Sequence, residues 1–261
     1  MFPYIGICDY MTSQQSLRSA NLFQTLCTTR GLTNRKLMIG TMMSFKTLNG
    51  EPSKWSVAWA KNEYVAKIFI DHPSVFNTLH YADYNCNTST SHLIEAAEWG
   101  GPNLHALQLD MVWPPDVIIR GLKRKFPNLK IILQVNTNAM AQMQDSPLLV
   151  SQQLQKYGEG VDYALLDKSH GRGVGMDATV LLEFVRVISD NLPNISIAVA
   201  GGLGPNTMHL AEPIVKEFPN VSIDAQGKLR PSGSAMDPID WNMADKYLEH
   251  AVKLFAYKRL S

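Results

Sequence analysis

Asp167 closes the apolar run Tyr163-Ala164-Leu165-Leu166 and is followed by Lys168-Ser169-His170-Gly171-Arg172-Gly173-Val174-Gly175. A carboxylate at the carboxyl end of a strand, beside glycine-rich backbone able to close on a ligand, can act as an acid or a base. Cys8, at the end of Ile5-Gly6-Ile7-Cys8, is the second proton-transfer candidate, because an ionised thiol serves as a general base or a nucleophile. Each also has a structural reading: an aspartate at a strand end often holds a neighbouring amide, and an isolated cysteine is commonly a small buried hydrophobe. Asp9 ranks behind Cys8, since it should face the other way or begin the loop. Strand alternation turns Lys168 off the face of Asp167, which disfavours a Schiff-base lysine.

A different chemistry is written in Ala200-Gly201-Gly202-Leu203-Gly204-Pro205-Asn206-Thr207. Glycines let backbone N–H groups approach an anion closely, and the start of the short helix expected next adds partial positive charge, a combination that suits phosphate. The alternative is a tight turn with no ligand. Asp224-Ala225-Gln226-Gly227-Lys228 completes such a site through the Gly227 amide and the Lys228 ammonium, unless Lys228 and Arg230 are plain surface charges.

These residues need a scaffold that gathers distant strand ends. Short apolar runs alternate with longer amphipathic segments, the pattern of parallel strands with crossover helices. Strands are expected at Tyr4 to Cys8, Leu37 to Met43, Val75 to Tyr81, Ala106 to Asp110, Lys130 to Val135, Tyr163 to Asp167, Ser196 to Ala200 and Val221 to Asp224. Eight of them over 261 residues imply one α/β domain, a single (β/α)8 TIM barrel spanning residues 1–261. In such a barrel the strand ends converge on one mouth, so Cys8, Asp110, Gln134, Asp167, Gly201, Gly202 and Asp224 should form a polar ring there.

Helices are expected at Pro115 to Phe126, Thr179 to Asn191 and Asp237 to Tyr257, from apolar residues at helical spacing. The phrases Phe126-Pro127-Asn128, Leu192-Pro193-Asn194 and Phe218-Pro219-Asn220 each end a helix and turn the chain back toward a strand. Ser44 to Asp71 reads as a long βα loop that is a lid, a substrate contact or a plain surface excursion, and Asp83 to Ser91 as a second irregular loop.

Composition narrows the classes. Apolar residues make up 45% and the formal net charge is +1, so a large core is available and nothing in the net charge points to nucleic acid or an anionic membrane. Lys123-Arg124-Lys125 reads as a solvated helix end. Three cysteines without ligand spacing argue against a disulfide framework or a zinc site. With no leader-like or membrane-length apolar segment, a cytoplasmic protein is expected.

Taken together, the motifs resemble the phosphoribosylanthranilate isomerase family of tryptophan biosynthesis. That family's Lys-Ile-Cys-Gly strand end is similar to Ile7-Cys8-Asp9, its Leu-Leu-Asp before a glycine loop to Leu165-Leu166-Asp167 with Gly173-Val174-Gly175, and its Gln-Leu-His to Gln108-Leu109-Asp110. Its Gly-Gly-Leu-x-Pro-x-Asn loop resembles Gly201 to Thr207. The resemblance implies Cys8 as base and Asp167 as acid, opening a phosphorylated aminoaldose and shifting a proton to give the aminoketose. Substrate and phosphate contacts are expected from Gly201, Gly202, Gly204, Asn206, Gly227, Lys228, Asp110, Gln134, Asp224 and Gly173. It implies a phosphorylated small-molecule substrate, a monomer or homodimer, and no metal or cofactor. The chain departs from the family at Asp110, at Val174, and at strand eight, where Asp-x-Ser-Ser-Gly-x-Glu becomes Asp224-Ala225-Gln226-Gly227-Lys228; no arginine stands in the second βα loop, where Lys46 or Lys54 could substitute. Alternatives are another phosphosugar enzyme, a lyase or epimerase, or a barrel that binds a phosphometabolite without catalysis.

Overall fold

Eight parallel strands pair in chain order, the last with the first, to close a barrel. They are β1 (Tyr4–Ile7), β2 (Lys36–Ser44), β3 (Val75–Ala82), β4 (Ala106–Asp110), β5 (Lys130–Asn136), β6 (Tyr163–Asp167), β7 (Ser196–Ala200) and β8 (Ser222–Ala225). The computed structural model describes residues 1–168 and 175–256. The expected fold is the observed one, and strand boundaries shift by one residue or two.

Strand parity decides which residues reach the mouth. Ile5, Ile7, Leu79, Tyr81, Leu107, Leu109, Leu133, Leu166 and Ile223 belong to the outer core that packs against helix residues such as Phe23, Phe184 and Leu248. Tyr4, Cys8, Ala106, Ile132, Tyr163 and Leu165 share a separate inner cluster. Successive side chains alternate across a strand. The inner parity therefore carries His80, Gln108, Asp110, Gln134, Asn136, Asp167 and Asp224 to the carboxyl end. At the opposite end Tyr4, Phe76 and Tyr163 close the floor, with ring centroids 5.7–5.9 Å apart.

The proline turns repeat one geometry. The amides of Phe126, Leu192 and Phe218 donate to the carbonyls four residues back, at 2.8, 2.8 and 2.7 Å. The amides of Leu129, Ile195 and Val221 then return to the carbonyls of those same residues at 3.1, 3.0 and 3.0 Å, which delivers the chain to the next strand. Of the three expected helices, two lie at Asp116–Lys125 and Ala178–Asn191. The last begins later than expected, at Trp241, because the Asp240 carboxylate caps it by accepting from the amides of Asn242 (2.9 Å) and Met243 (3.2 Å). Lys123 is more than a solvated charge: it and Lys130 hold Asp162 Oδ2 and Oδ1 at 2.6 and 2.9 Å.

Two glycines are needed for close approach near the mouth. An alanine Cβ at Gly204 would stand 2.7 Å from both Cβ and the carbonyl oxygen of Lys228, so the loops after β7 and β8 touch only because Gly204 has no side chain. At Gly6 a Cβ would stand 2.6 Å from Asp224 Oδ1 and 2.7 Å from Met38 Cε. Overpacking of this kind costs ~1–3 kcal/mol. Gly6→Ala should lose stability in that range in urea unfolding; a variant as stable as its parent would show that the Asp224 carboxyl has room to withdraw.

Candidate active site

A cavity of about 670 Å³ opens at the carboxyl ends of the strands. Cys8, Asp110, Gln134, Asp167, Gly201, Gly202, Asp224 and Gly227 all line it, so most of the expected ring is assembled. Asn206 does not: it is exposed and lines another cleft, with His209 and His250. Lys228 is absent from the cavity wall as well, and Gly204 is buried against its backbone. Gly173 lies outside the described residues, as do Ser169, His170, Gly171, Arg172 and Val174. Lys168 points away and pairs with Asp145 Oδ1 at 3.1 Å, as alternation requires.

Closure of the barrel joins β8 to β1, and there the Cys8 thiol donates toward Asp224, with Sγ 3.6 Å from each carboxylate oxygen. Burial, then the charge of Asp224, pushes the Cys8 thiol well up, so it is a neutral donor. Burial also pushes Asp224 up, to about 7, against the opposing pull of His80 and the Cys8 hydrogen bond. A carboxyl with this value is half ionised near neutrality and can exchange protons in either direction. Asp224, expected to be a binding residue, is therefore equipped for proton transfer.

Free aspartate titrates near 4, so between about pH 4 and pH 7 the unfolded chain releases a proton that the fold retains, and stability falls as pH rises through that window. Asp224→Asn removes the titration. The variant should gain on its parent by about 2–4 kcal/mol between pH 4 and pH 8 in urea unfolding. An equal difference at both pH values would show that the buried carboxyl ionises without penalty.

Across the mouth, Asp110 behaves in the opposite sense. Burial alone would push it up, but His80, the Tyr84 hydroxyl and the Asn136 amide (3.0 Å) outweigh burial and hold it below the usual carboxylate range. His80 Nε2 stands 3.8 Å from Asp110 Oδ2. A side-chain chain crosses the barrel between the two regions: Gln134 Nε2 donates to Asp167 Oδ2 at 3.3 Å, and Gln108 Nε2 reaches both Gln134 Oε1 at 3.1 Å and His80 Nδ1 at 3.2 Å.

Asp9 and Arg230 turn out to be structural partners. Asp9 takes a left-handed backbone (φ 75°) and is buried. Its Oδ2 accepts from the Arg230 guanidinium and, at 3.0 Å, from Gln226 Nε2. Arg230, considered above as a surface charge, is 3% exposed and also donates to the carbonyls of Asp237 (2.5 Å) and Gln226 (2.7 Å). This buried ion pair fastens the loop after β8 to the end of β1.

The segment after β2 does reach the cavity. Ser44 caps the short helix Phe45–Leu48, a 3-10 turn follows at Lys54–Val57, and Asn62–Ile68 is the crossover helix. Trp55 and Trp59 stack with centroids 4.8 Å apart and an interplanar angle of 8°, both on the cavity wall, and Lys54 Nζ stands 4.9 Å from the Trp55 ring centroid. In the loop after β3, Asp83 accepts from the amides of Asn85 (3.0 Å) and Thr88 (2.8 Å), which sets Tyr84 beside Asp110. Among the described residues, no group of three His, Cys, Asp or Glu side chains is placed to hold a metal ion, and no helix is long and apolar enough to cross a membrane.

No family model matches the sequence, and neither does any curated protein. Solved structures do match in shape. Phosphoribosyl anthranilate isomerase from Thermus thermophilus superposes with a TM-score of 0.63 at 13% identity, over 96% of this chain and 99% of that one. Catalytic-site mutants of active domain 2 of a thermostable chitinase from Pyrococcus furiosus, complexed with chito-oligosaccharides, give 0.53 at 11% identity over 97% and 96% of the two chains. PhdJ bound to a substrate intermediate gives 0.50 at 12% identity, over 99% of this chain and 73% of that one. At these identities the likeness is one of fold: the chain is a (β/α)8 barrel.

Proposed function

We propose that this barrel is an isomerase of a phosphorylated ribosyl-amine, working by acid–base ring opening and proton transfer. One observation carries the reading: Asp167 lines the same mouth as the hydrogen-bonded Cys8–Asp224 pair, whose carboxyl burial pushes up to about 7, so an acid and a base face one cavity. Asp167 donates a proton to the ribose ring oxygen, and the C1–O bond breaks as the nitrogen lone pair forms a protonated C1=N bond. Asp110, ionised nearby, favours that positive charge. The base at C2 is the Cys8–Asp224 pair, in which the carboxylate is the stronger acceptor and the thiol holds it. Removing the C2 proton gives an enolamine, and protonation at C1 gives the aminoketose.

The phosphate is assigned to the loops after β7 and β8, where Gly202 and Gly227 both line the cavity. Among the described residues neither amide joins a backbone hydrogen bond. A crystal soaked with ribose 5-phosphate tests this directly. Phosphate density between Gly202 and Gly227 is expected, with the sugar between Asp167 and Cys8; sugar phosphate bound elsewhere, or not at all, would contradict the assignment.

A second reading rests on Gln226. It stands in the stretch where the resembling family carries paired serines, and its amide is committed to Asp9. That substitution favours a different phosphosugar, turned over by a lyase or epimerase reaction with the same proton-transfer residues.

A further inference from the structure

His80 and Gln108 leave two polar atoms unanswered. Among the described residues neither His80 Nε2 nor Gln108 Oε1 has a hydrogen-bond partner, although the residues are only 6% and 1% exposed and both line the mouth. A buried polar atom without a partner costs ~1–3 kcal/mol unless a ligand or water answers it. Their hydrogen-bonding characters are set by the chain that crosses the barrel. An amide nitrogen only donates, so Gln134 Nε2 gives a hydrogen to Asp167 Oδ2, Gln134 Oε1 takes one from Gln108 Nε2, and the other Gln108 hydrogen goes to His80 Nδ1. The His80 proton then sits on Nε2, a donor, and Gln108 presents an acceptor.

We propose that His80, Asp110 and Gln108 form a subsite that reads a vicinal diol, one hydroxyl seated between His80 Nε2 and Asp110 Oδ2 and its neighbour donating to Gln108 Oε1. The inference rests on the phosphosugar reading and specifies which end of the substrate lies where. The 3.8 Å between His80 Nε2 and Asp110 Oδ2 is too long for a direct hydrogen bond. One oxygen making two bonds of about 2.8 Å bridges it. Only a group that both accepts and donates satisfies the pair. A hydroxyl does so; a carbonyl has no proton for Asp110, and a phosphate is repelled by its charge. The Tyr84 and Asn136 donors already on Asp110 keep that carboxylate fixed and ionised.

Barrel order supplies the remaining constraint. In a closed ring of eight strands taken in sequence, β3 and β4 lie across the mouth from β7 and β8. A phosphosugar with its phosphate on the Gly202 and Gly227 loops therefore extends its hydroxyls toward His80 and Asp110. Ribose 5-phosphate has this form, a phosphate at one end and adjacent hydroxyls at the other.

The test is calorimetric binding of inorganic phosphate, ribose 5-phosphate and 2-deoxyribose 5-phosphate to the parent and to His80→Ala and Asp110→Asn. The parent should prefer ribose 5-phosphate over its 2-deoxy analogue by roughly tenfold or more, because the missing hydroxyl leaves buried groups unpaired. Both variants should lose most of that preference while binding inorganic phosphate as the parent does. A merely structural role for His80 would weaken all three ligands together. Two variants are used so that misfolding of one, seen as a lost melting transition, leaves the other to decide. A parent without the preference, or folded variants that keep it, would overturn the diol subsite and leave the isomerase reading in place. A parent that binds none of the three ligands would overturn both.

Discussion

Asp167→Asn should reduce turnover of a phosphoribosyl-amine by ~10²–10⁴-fold, the range general-acid catalysis supplies, while inorganic phosphate still binds. The amide matches the carboxyl in shape but has no acidic proton, so the ring oxygen leaves unprotonated and the C1–O bond holds. The variant also tests the hydrogen-bond chain. An asparagine can turn its oxygen to the Gln134 amide, so the contact with Gln134 survives and the loss reports proton donation rather than collapse of the site. Single-turnover kinetics with matched phosphate titrations distinguishes the cases. Equal loss of catalysis and phosphate affinity would make Asp167 a structural residue, the reading that any aspartate at a strand end carries.

Asp224→Asn should cost a similar ~10²–10⁴-fold and should also change the pH profile. In the parent a base with a value of about 7 must be ionised to act, so kcat/KM falls as pH drops below about 7 and levels off above it. Asparagine removes that limb, leaving a low rate with no rise near neutrality. Cys8→Ser distinguishes the members of the pair: serine keeps a donor to Asp224, so the limb near 7 should persist. If Cys8→Ser abolished activity and Asp224→Asn retained it, the thiol alone would be the base.

The fold was readable because each strand announces itself twice, as an apolar run and as the return from a proline or glycine turn. The three Phe/Leu-Pro-Asn phrases show why: each makes the same pair of hydrogen bonds, a local device that needs no distant partner. Their places at the carboxyl ends of strands put Asp110, Gln134, Asp167 and Asp224 at the mouth. His80 is absent from the ring expected from sequence, although it stands one residue before the expected strand end at Tyr81, as Gln134 does before Val135. Its inward parity, opposite Leu79 and Tyr81, was the available signal.

What sequence could not show is what closure creates. The Cys8 hydrogen bond to Asp224 and the Arg230 ion pair with Asp9 each join residues more than 200 positions apart, at the one seam where the first strand meets the last. Neither residue of either pair has a local pattern naming its partner. The resulting desolvation, rather than any motif, moves Asp224, expected only to bind substrate, to about 7. Lys228 and Asn206 illustrate the converse. Their positions in the motifs pointed to the anion site, but the close contact at Gly204 sets the Lys228 backbone against the neighbouring loop, and Asn206 faces an outer cleft.

Turnover of phosphoribosylanthranilate in deuterated water tests acid–base isomerisation in this mouth. Conversion to the aminoketose with one solvent deuterium at C1 is the predicted result, since the C2 proton leaves to the enzyme and C1 is protonated last. Substrate recovered unchanged after prolonged incubation with the folded parent protein would contradict it.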